Sequence, residues 1–144
     1  MGKRSRDGYS AKWGSEIQVD DRLAEAVLAR SNDGKIKCAQ AFLVVSEWRV
    51  GPLEVGRVAD LKELRITHCQ LGLFGYGDQK KAVTPAAEIR PDLEGLVRNA
   101  LEDERLTCAE AWKIAESCHV PKMEVSALCE RLQIKIGSCQ LGAF

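Results

Sequence analysis

The 144-residue chain has no long apolar run. No stretch approaches the roughly 18 consecutive apolar residues that a membrane-spanning helix needs. Residues 1–16 also lack the apolar core of a secretory signal peptide. We therefore expect a cytoplasmic protein with no membrane partner, in which the six cysteines are reduced thiols rather than a disulfide framework.

The sequence also lacks the short motifs that usually mark an enzyme. It contains no Walker phosphate-binding loop, no dinucleotide fingerprint and no catalytic triad order. Local Cys-x-x-Cys pairs, which are usual in zinc sites, are absent as well. These absences predict a protein that is not an enzyme and that holds no cofactor or metal.

Charge of neither sign is in excess, since 21 Lys and Arg balance 21 Asp and Glu. The balance is uneven along the chain, however. Near the N-terminus Lys3, Arg4, Arg6 and Lys12 outnumber the acidic residues, whereas residues 91–144 are acidic overall. Any attraction to phosphate groups therefore belongs to the first part of the chain.

An internal repeat organises the sequence. Residues 36–74 align without gaps with residues 106–144, at an offset of 70 and with 12 identical positions. Both copies end in a Cys-Gln-Leu-Gly segment followed by x-Phe, and such self-similarity indicates two copies of one structural unit. The repeat predicts a basic N-terminal arm (1–18), a first unit (19–75), a turn-rich linker (76–90) and a second unit (91–144).

Each unit is predicted to be mainly α-helical, with three helices followed by a short extended segment. In the second unit Pro91 begins a helix, Thr107 caps the next one and Pro121 opens the third. After the third helix, alternating residues such as Ile134 and Ile136 favour two short strands in a hairpin or wing over a last helix. The helices of the first unit are expected at Asp20–Arg30, Lys37–Trp48 and Pro52–Leu64.

Equivalent cysteines in the two units allow two interpretations. Cys38 matches Cys108, and Cys69 matches Cys139. If a pseudo-two-fold axis relates the units, the four thiols could converge as a structural zinc site requires. Without local ligand pairs we favour the alternative, in which the thiols are small apolar residues of the core. Four aromatic residues fall at core spacings and are expected to pack there too: Phe42, Trp48, Phe74 and Trp112.

The second and third helices of each unit resemble a helix-turn-helix. That motif has a small residue where the helices meet, a turn four residues later and an apolar residue six beyond the turn. These positions are Ala115, His119 and Val125 in the second unit, and Val45, Arg49 and Val55 in the first. With the extended tail, each unit looks like a small winged helix. Arg49 and His119 occupy the turn position, where the chain is left-handed and glycine is usual.

The resemblance implies binding of double-stranded DNA, with the third helix reading base edges in the major groove. Among the outward residues of these helices, only Arg57 and Lys122 have the reach and donors to read guanine. The basic arm and first unit would chiefly contact phosphates. The candidate DNA-binding residues are Lys3, Arg4, Arg6, Lys12, Arg49, Arg57, Lys62 and Arg65.

A protein-interaction module that keeps the helix-turn-helix fold is the alternative. The zero net charge and the outward apolar residues Leu53 and Met123 favour it. The N-terminal arm fits both hypotheses, because a basic segment with Trp13 can follow a phosphate backbone or can serve as a solubilising terminus.

Overall fold

A computed structural model describes residues 20–144 of the chain. This described part is mainly helical, with six α-helices and four strands of three residues each. The order is α1 (Asp21–Ala29), β1 (Lys35–Lys37), α2 (Cys38–Trp48), α3 (Pro52–Leu61), β2 (Arg65–Thr67), α4 (Pro91–Asn99), β3 (Arg105–Thr107), α5 (Cys108–Cys118), α6 (Lys122–Leu132) and β4 (Lys135–Gly137).

The helix starts have local causes that can be read from the residues. The Asp20 side chain accepts a hydrogen bond from the Arg22 N–H at 2.9 Å and caps α1. The Thr107 hydroxyl accepts from the Glu110 N–H at 3.1 Å, which confirms the predicted cap of α5. Helices α3 and α4 begin at proline, whose fixed φ suits a first helical position.

The chain divides into two compact units. The first unit runs to His68 and includes Leu141–Ala143, whereas the second consists of Cys69–Gln140 and Phe144. The division therefore falls before residue 75, where the repeat suggested the end of the first unit. The end of each repeat contributes residues to the unit that contains the helices of the other repeat.

Each unit has its own apolar core. Helices α1 to α3 bury the first, and helices α4 to α6 bury the second around the fully buried Leu71. Buried residues of the first core include Leu23, Val27, Val44, Val55 and Val58. Buried residues of the second core include Leu93, Val97, Leu106, Val125 and Leu128.

The short strands pair in parallel, so the predicted hairpin or wing is wrong. Strand β2 lies beside β1, with Ile66 opposite Ile36, and β4 lies beside β3 in the same way. The Cys-Gln-Leu-Gly segments that follow are turns. His68 and Ser138, directly after the strands, have φ of 51°, and this left-handed conformation ends the extended chain.

Two further expectations, on the end of α3 and on Trp48, differ from the structure. Helix α3 ends at Leu61 rather than Leu64, because Glu63 has a φ of 56° that a helix cannot contain. Trp48 ends α2 and is 38% exposed, so it is not a core residue. Phe144 is 46% exposed, although its ring meets Phe74 edge-on at a centroid distance of 5.8 Å.

Candidate functional site

Two positions on the outward face of α3, which would read bases in a helix-turn-helix, are covered within the first unit. Gly56 is buried, and the carbonyl of Leu141 lies where a Cβ on Gly56 would stand. One turn further on, Asp60 is only 5% exposed. Gly56 therefore cannot approach a base edge while the Leu141 segment is in place, and Asp60 is buried as well.

The equivalent face of α6 is covered in the second unit. Ser126 is fully buried, and its hydroxyl donates to the Leu71 carbonyl at 2.6 Å. At the offset of 70, Ser126 corresponds to Gly56 and Leu71 to Leu141. The same relation between a third helix and a leucine carbonyl thus occurs in both units.

The linker adds a second cover over α6. The Ala86 N–H donates to the Ala127 carbonyl at 2.9 Å, and the Lys81 ammonium lies 3.0 Å from the Glu130 carboxylate. A cavity of about 570 Å³ lies between the linker and these helices, and it is lined by linker residues and by residues of α4 and α6. The outward face of α6 is therefore partly covered by other parts of its own unit, and Ser126 is its fully buried position.

The glycine of each Cys-Gln-Leu-Gly segment is required by backbone conformation and by close approach. Gly72 and Gly142 have φ of 76° and 81°, which favour glycine. A Cβ on Gly72 would lie 3.0 Å from the Met123 sulfur, and a Cβ on Gly142 would lie 2.9 Å from Leu53 Cδ1. Each segment thus turns tightly against the first turn of a third helix.

The candidate DNA-binding cations lie in different environments. Arg49 is exposed in the turn before α3. Lys62 and Arg65 are exposed in the segment after α3. Arg57 is half-buried, with its guanidinium 3.8 Å from the Glu54 carboxylate. Lys3, Arg4, Arg6 and Lys12 lie outside the described residues.

Lys122, the other outward residue with the reach to contact guanine, is held against its own unit. Its ammonium lies 4.6 Å from the centre of the Trp112 ring, a distance typical of a cation–π contact. Extension of Lys122 toward a ligand would require the loss of this contact.

The thiols are mostly buried. None of the six cysteines forms a disulfide bond, and only Cys118 and Cys139 are half-buried rather than buried. Burial raises the pKa of Cys69 and Cys108, and it raises the pKa of Cys129 to about 11. Within residues 20–144, no group of three His, Cys, Asp or Glu side chains is arranged to hold a metal ion.

The first unit exposes leucines where the second unit has cations. Leu28 is 42% exposed and Leu43 is 43% exposed, and their counterparts at the offset of 70 are Arg98 and Lys113. The Arg30 guanidinium bonds to Gln40 at 3.1 Å and to Glu47 at 2.6 Å. Because Leu43 lies between Gln40 and Glu47 at helical spacing, it shares their face of α2.

Comparison of the chain with protein-family models, curated proteins and solved structures finds no match. In the described part, none of the helices has the length and hydropathy of a bilayer crossing.

The residues that cover the third helices were not predicted as functional. One sequence signal for them was Gly56, since glycine inside a helix costs up to about 1 kcal/mol relative to alanine and often marks a close backbone approach. The Leu141 carbonyl is the group that approaches it. No comparable signal identified Ser126, whose hydroxyl donates to the carbonyl of Leu71, a residue distant in the sequence.

Proposed function

We propose that this protein is a protein-interaction module that does not read DNA through its third helices. The observation that carries the proposal is the cover over positions 56 and 126 by the carbonyls of Leu141 and Leu71. A recognition helix must present these outward positions to the major groove. Here these positions instead contact turn segments of the same polypeptide chain.

The proposal includes two repeated three-helix units of helix-turn-helix type. The turn residues Arg49 and His119 have φ of 53° and 55°, the left-handed conformation that the motif uses. The apolar positions beyond the turn, Val55 and Val125, are fully buried. Ala115, the small residue where α5 meets α6, is 3% exposed. These features support the resemblance independently of any role in DNA binding.

The surface that we assign to a protein partner contains Leu28 and Leu43. An apolar side chain of this size gains about 1.5–3 kcal/mol when it is fully buried, so two half-exposed leucines favour a partner with an apolar face. The second unit carries Arg98 and Lys113 at these positions, which shows that the fold itself does not require leucine there. The leucines therefore serve a role specific to the first unit.

A photo-cross-linking amino acid placed at position 43 of the full chain in cells tests the assignment. We expect an adduct with another protein that is lost when Leu28 is replaced by Arg. The matched control carries the same probe at position 113, the equivalent site of the second repeat, and should give no such adduct. Absence of an adduct at position 43, or equal adducts at both positions, contradicts the proposal.

DNA binding through phosphates is a second candidate, favoured by the exposure of Arg49, Lys62 and Arg65. Such contacts orient a protein on a duplex without specifying a sequence. A polarisation titration with mixed-sequence duplexes at low salt separates the candidates. Affinity that falls steeply with salt and is unchanged by Arg57→Ala supports phosphate contacts. Sequence-specific binding that Arg57→Ala weakens would restore the base-reading hypothesis and overturn the interaction module.

A further inference from the structure

In the second unit, the residues that precede α4 bind across the third helix. The Ala82 and Val83 N–H groups donate to the Gly72 carbonyl at 2.8 and 3.1 Å. Further along, the Ala86 N–H donates to the Ala127 carbonyl of α6. Val83 is the buried apolar anchor of this contact, with only 7% of its surface exposed.

The same register assigns a counterpart to each of these residues near the N-terminus. An offset of 70 aligns residues 11–20 with residues 81–90, directly before α1 and α4. Trp13 aligns with Val83, so an apolar residue occupies the anchor position in both segments. Further along, Ile17 aligns with Ala87 and Val19 aligns with Ile89, and all four residues are apolar.

The first unit has the apolar corner that such an anchor would contact. In the second unit that corner is formed by Gly72, which lies next to Val83, and by the half-buried Met123, whose sulfur approaches Gly72. The equivalent corner is formed by Gly142 and Leu53. Leu53 is 51% exposed, more than any other large apolar side chain in the described part of the chain.

We propose that residues 11–19 bind across α3 of the first unit, with the Trp13 indole against Leu53 and Gly142. The occupant is a segment of this chain rather than a foreign partner, because it enters α1 in the register in which the linker enters α4. Burial of an indole there would remove apolar surface from Leu53 and from Trp13 together. Residues 11–19 then serve as a structural part of the first unit.

Photo-cross-linking in the full-length protein tests this contact. With benzoylphenylalanine in place of Leu53, we expect an adduct with residues 11–19 that peptide mass spectrometry can locate. The adduct should be lost on Trp13→Ser. A probe in place of Leu28, which is 42% exposed on α1, is the matched control and should not react with this segment.

The position of the adduct, and whether it joins one molecule or two, decide the outcome of this experiment. An adduct within one molecule, seen at position 53 and absent at position 28, supports the proposal. No adduct at position 53, or equal adducts at both positions, overturns it. A mixture of isotope-labelled and unlabelled protein identifies adducts between two molecules. If all adducts are of that kind, the occupant is a second copy of the chain and the proposal is overturned.

Tryptophan fluorescence provides an independent readout. In a chain with Trp48→Phe and Trp112→Phe, Trp13 is the remaining indole. We expect Leu53→Lys to increase quenching of Trp13 by acrylamide and Leu28→Lys to leave it unchanged, with circular dichroism showing that each variant is folded. Full quenching of Trp13 before any substitution at position 53 contradicts the contact.

Discussion

Gly56 shows how one residue can determine the access of a helix to its ligands. In most helices an outward glycine is simply unfavourable, because it has more conformational freedom to lose on folding than alanine. Here the missing side chain allows the Leu141 carbonyl to lie directly on α3. At the equivalent position of α6, Ser126 has a side chain and uses its hydroxyl to bond the Leu71 carbonyl.

We expect Gly56→Ala to destabilise the protein. The added methyl group would overlap a backbone carbonyl, which cannot move aside as a flexible side chain can, and overpacking of this kind costs about 1–3 kcal/mol. Urea unfolding measures the change in the free energy of unfolding. Gly95→Ala in α4 is the control, since a Cβ there meets open space and should stabilise by about 0.5–1 kcal/mol. Stabilisation by both substitutions would show that Leu141 does not lie on α3.

At the scale of elements, the helix pairs are held by turns in an unfavourable conformation. His119 connects α5 to α6 in the left-handed region, where most L-residues lose about 1–2 kcal/mol relative to the right-handed helix. The residues on either side of the turn, Ala115 and Val125, are both buried in the core that α5 and α6 share. The turn geometry therefore comes from helix packing rather than from the preference of the turn residue.

Replacement of His119 by Gly is expected to raise the free energy of unfolding by up to about 1 kcal/mol, because glycine adopts the left-handed conformation without steric cost. Thermal or urea unfolding measures this gain. Glu116→Gly, at an exposed position inside α5, is the control and should lower stability by about 1 kcal/mol. A loss of stability from His119→Gly would indicate that the imidazole contributes more than the strain it causes.

The helices could be predicted from the sequence, whereas the pairing of the strands could not. Proline, the Thr107 cap and apolar spacing are local signals, and they identified the helix starts closely. The alternation of Ile134 and Ile136 correctly indicated extended chain around β4. It did not identify the partner of β4, because the pairing with β3 joins residues that two intervening helices separate in sequence.

At the scale of the whole molecule, the end of each repeat belongs to the unit that contains the helices of the other repeat. Leu141 belongs to the unit of α3, and Leu71 belongs to the unit of α6. Both leucines are fully or almost fully buried, with exposures of 1% and 0%. Each unit therefore depends for its core on a residue that follows the helices of the other repeat.

Leucine-to-alanine substitutions test this assignment in the full chain. Leu141→Ala should accelerate hydrogen exchange of α3 amides more than of α6 amides, and Leu71→Ala should do the reverse. Each substitution removes a buried leucine, at a cost of about 2–5 kcal/mol. Hydrogen-exchange mass spectrometry compares the two variants, which serve as controls for each other. If each substitution instead accelerated hydrogen exchange in the third helix of its own repeat, this would contradict the assignment of Leu141 to the unit of α3 and of Leu71 to the unit of α6.

The amino-acid sequence by itself determined the helices and their caps, because these depend on residues close together in the chain. It also indicated the repeat. Only the tertiary structure decided which unit each Cys-Gln-Leu-Gly segment joins. The two segments are identical in sequence, so no local preference distinguishes their binding sites. The choice, and with it the cover over Gly56 and Ser126, depends on long-range packing of the buried leucines.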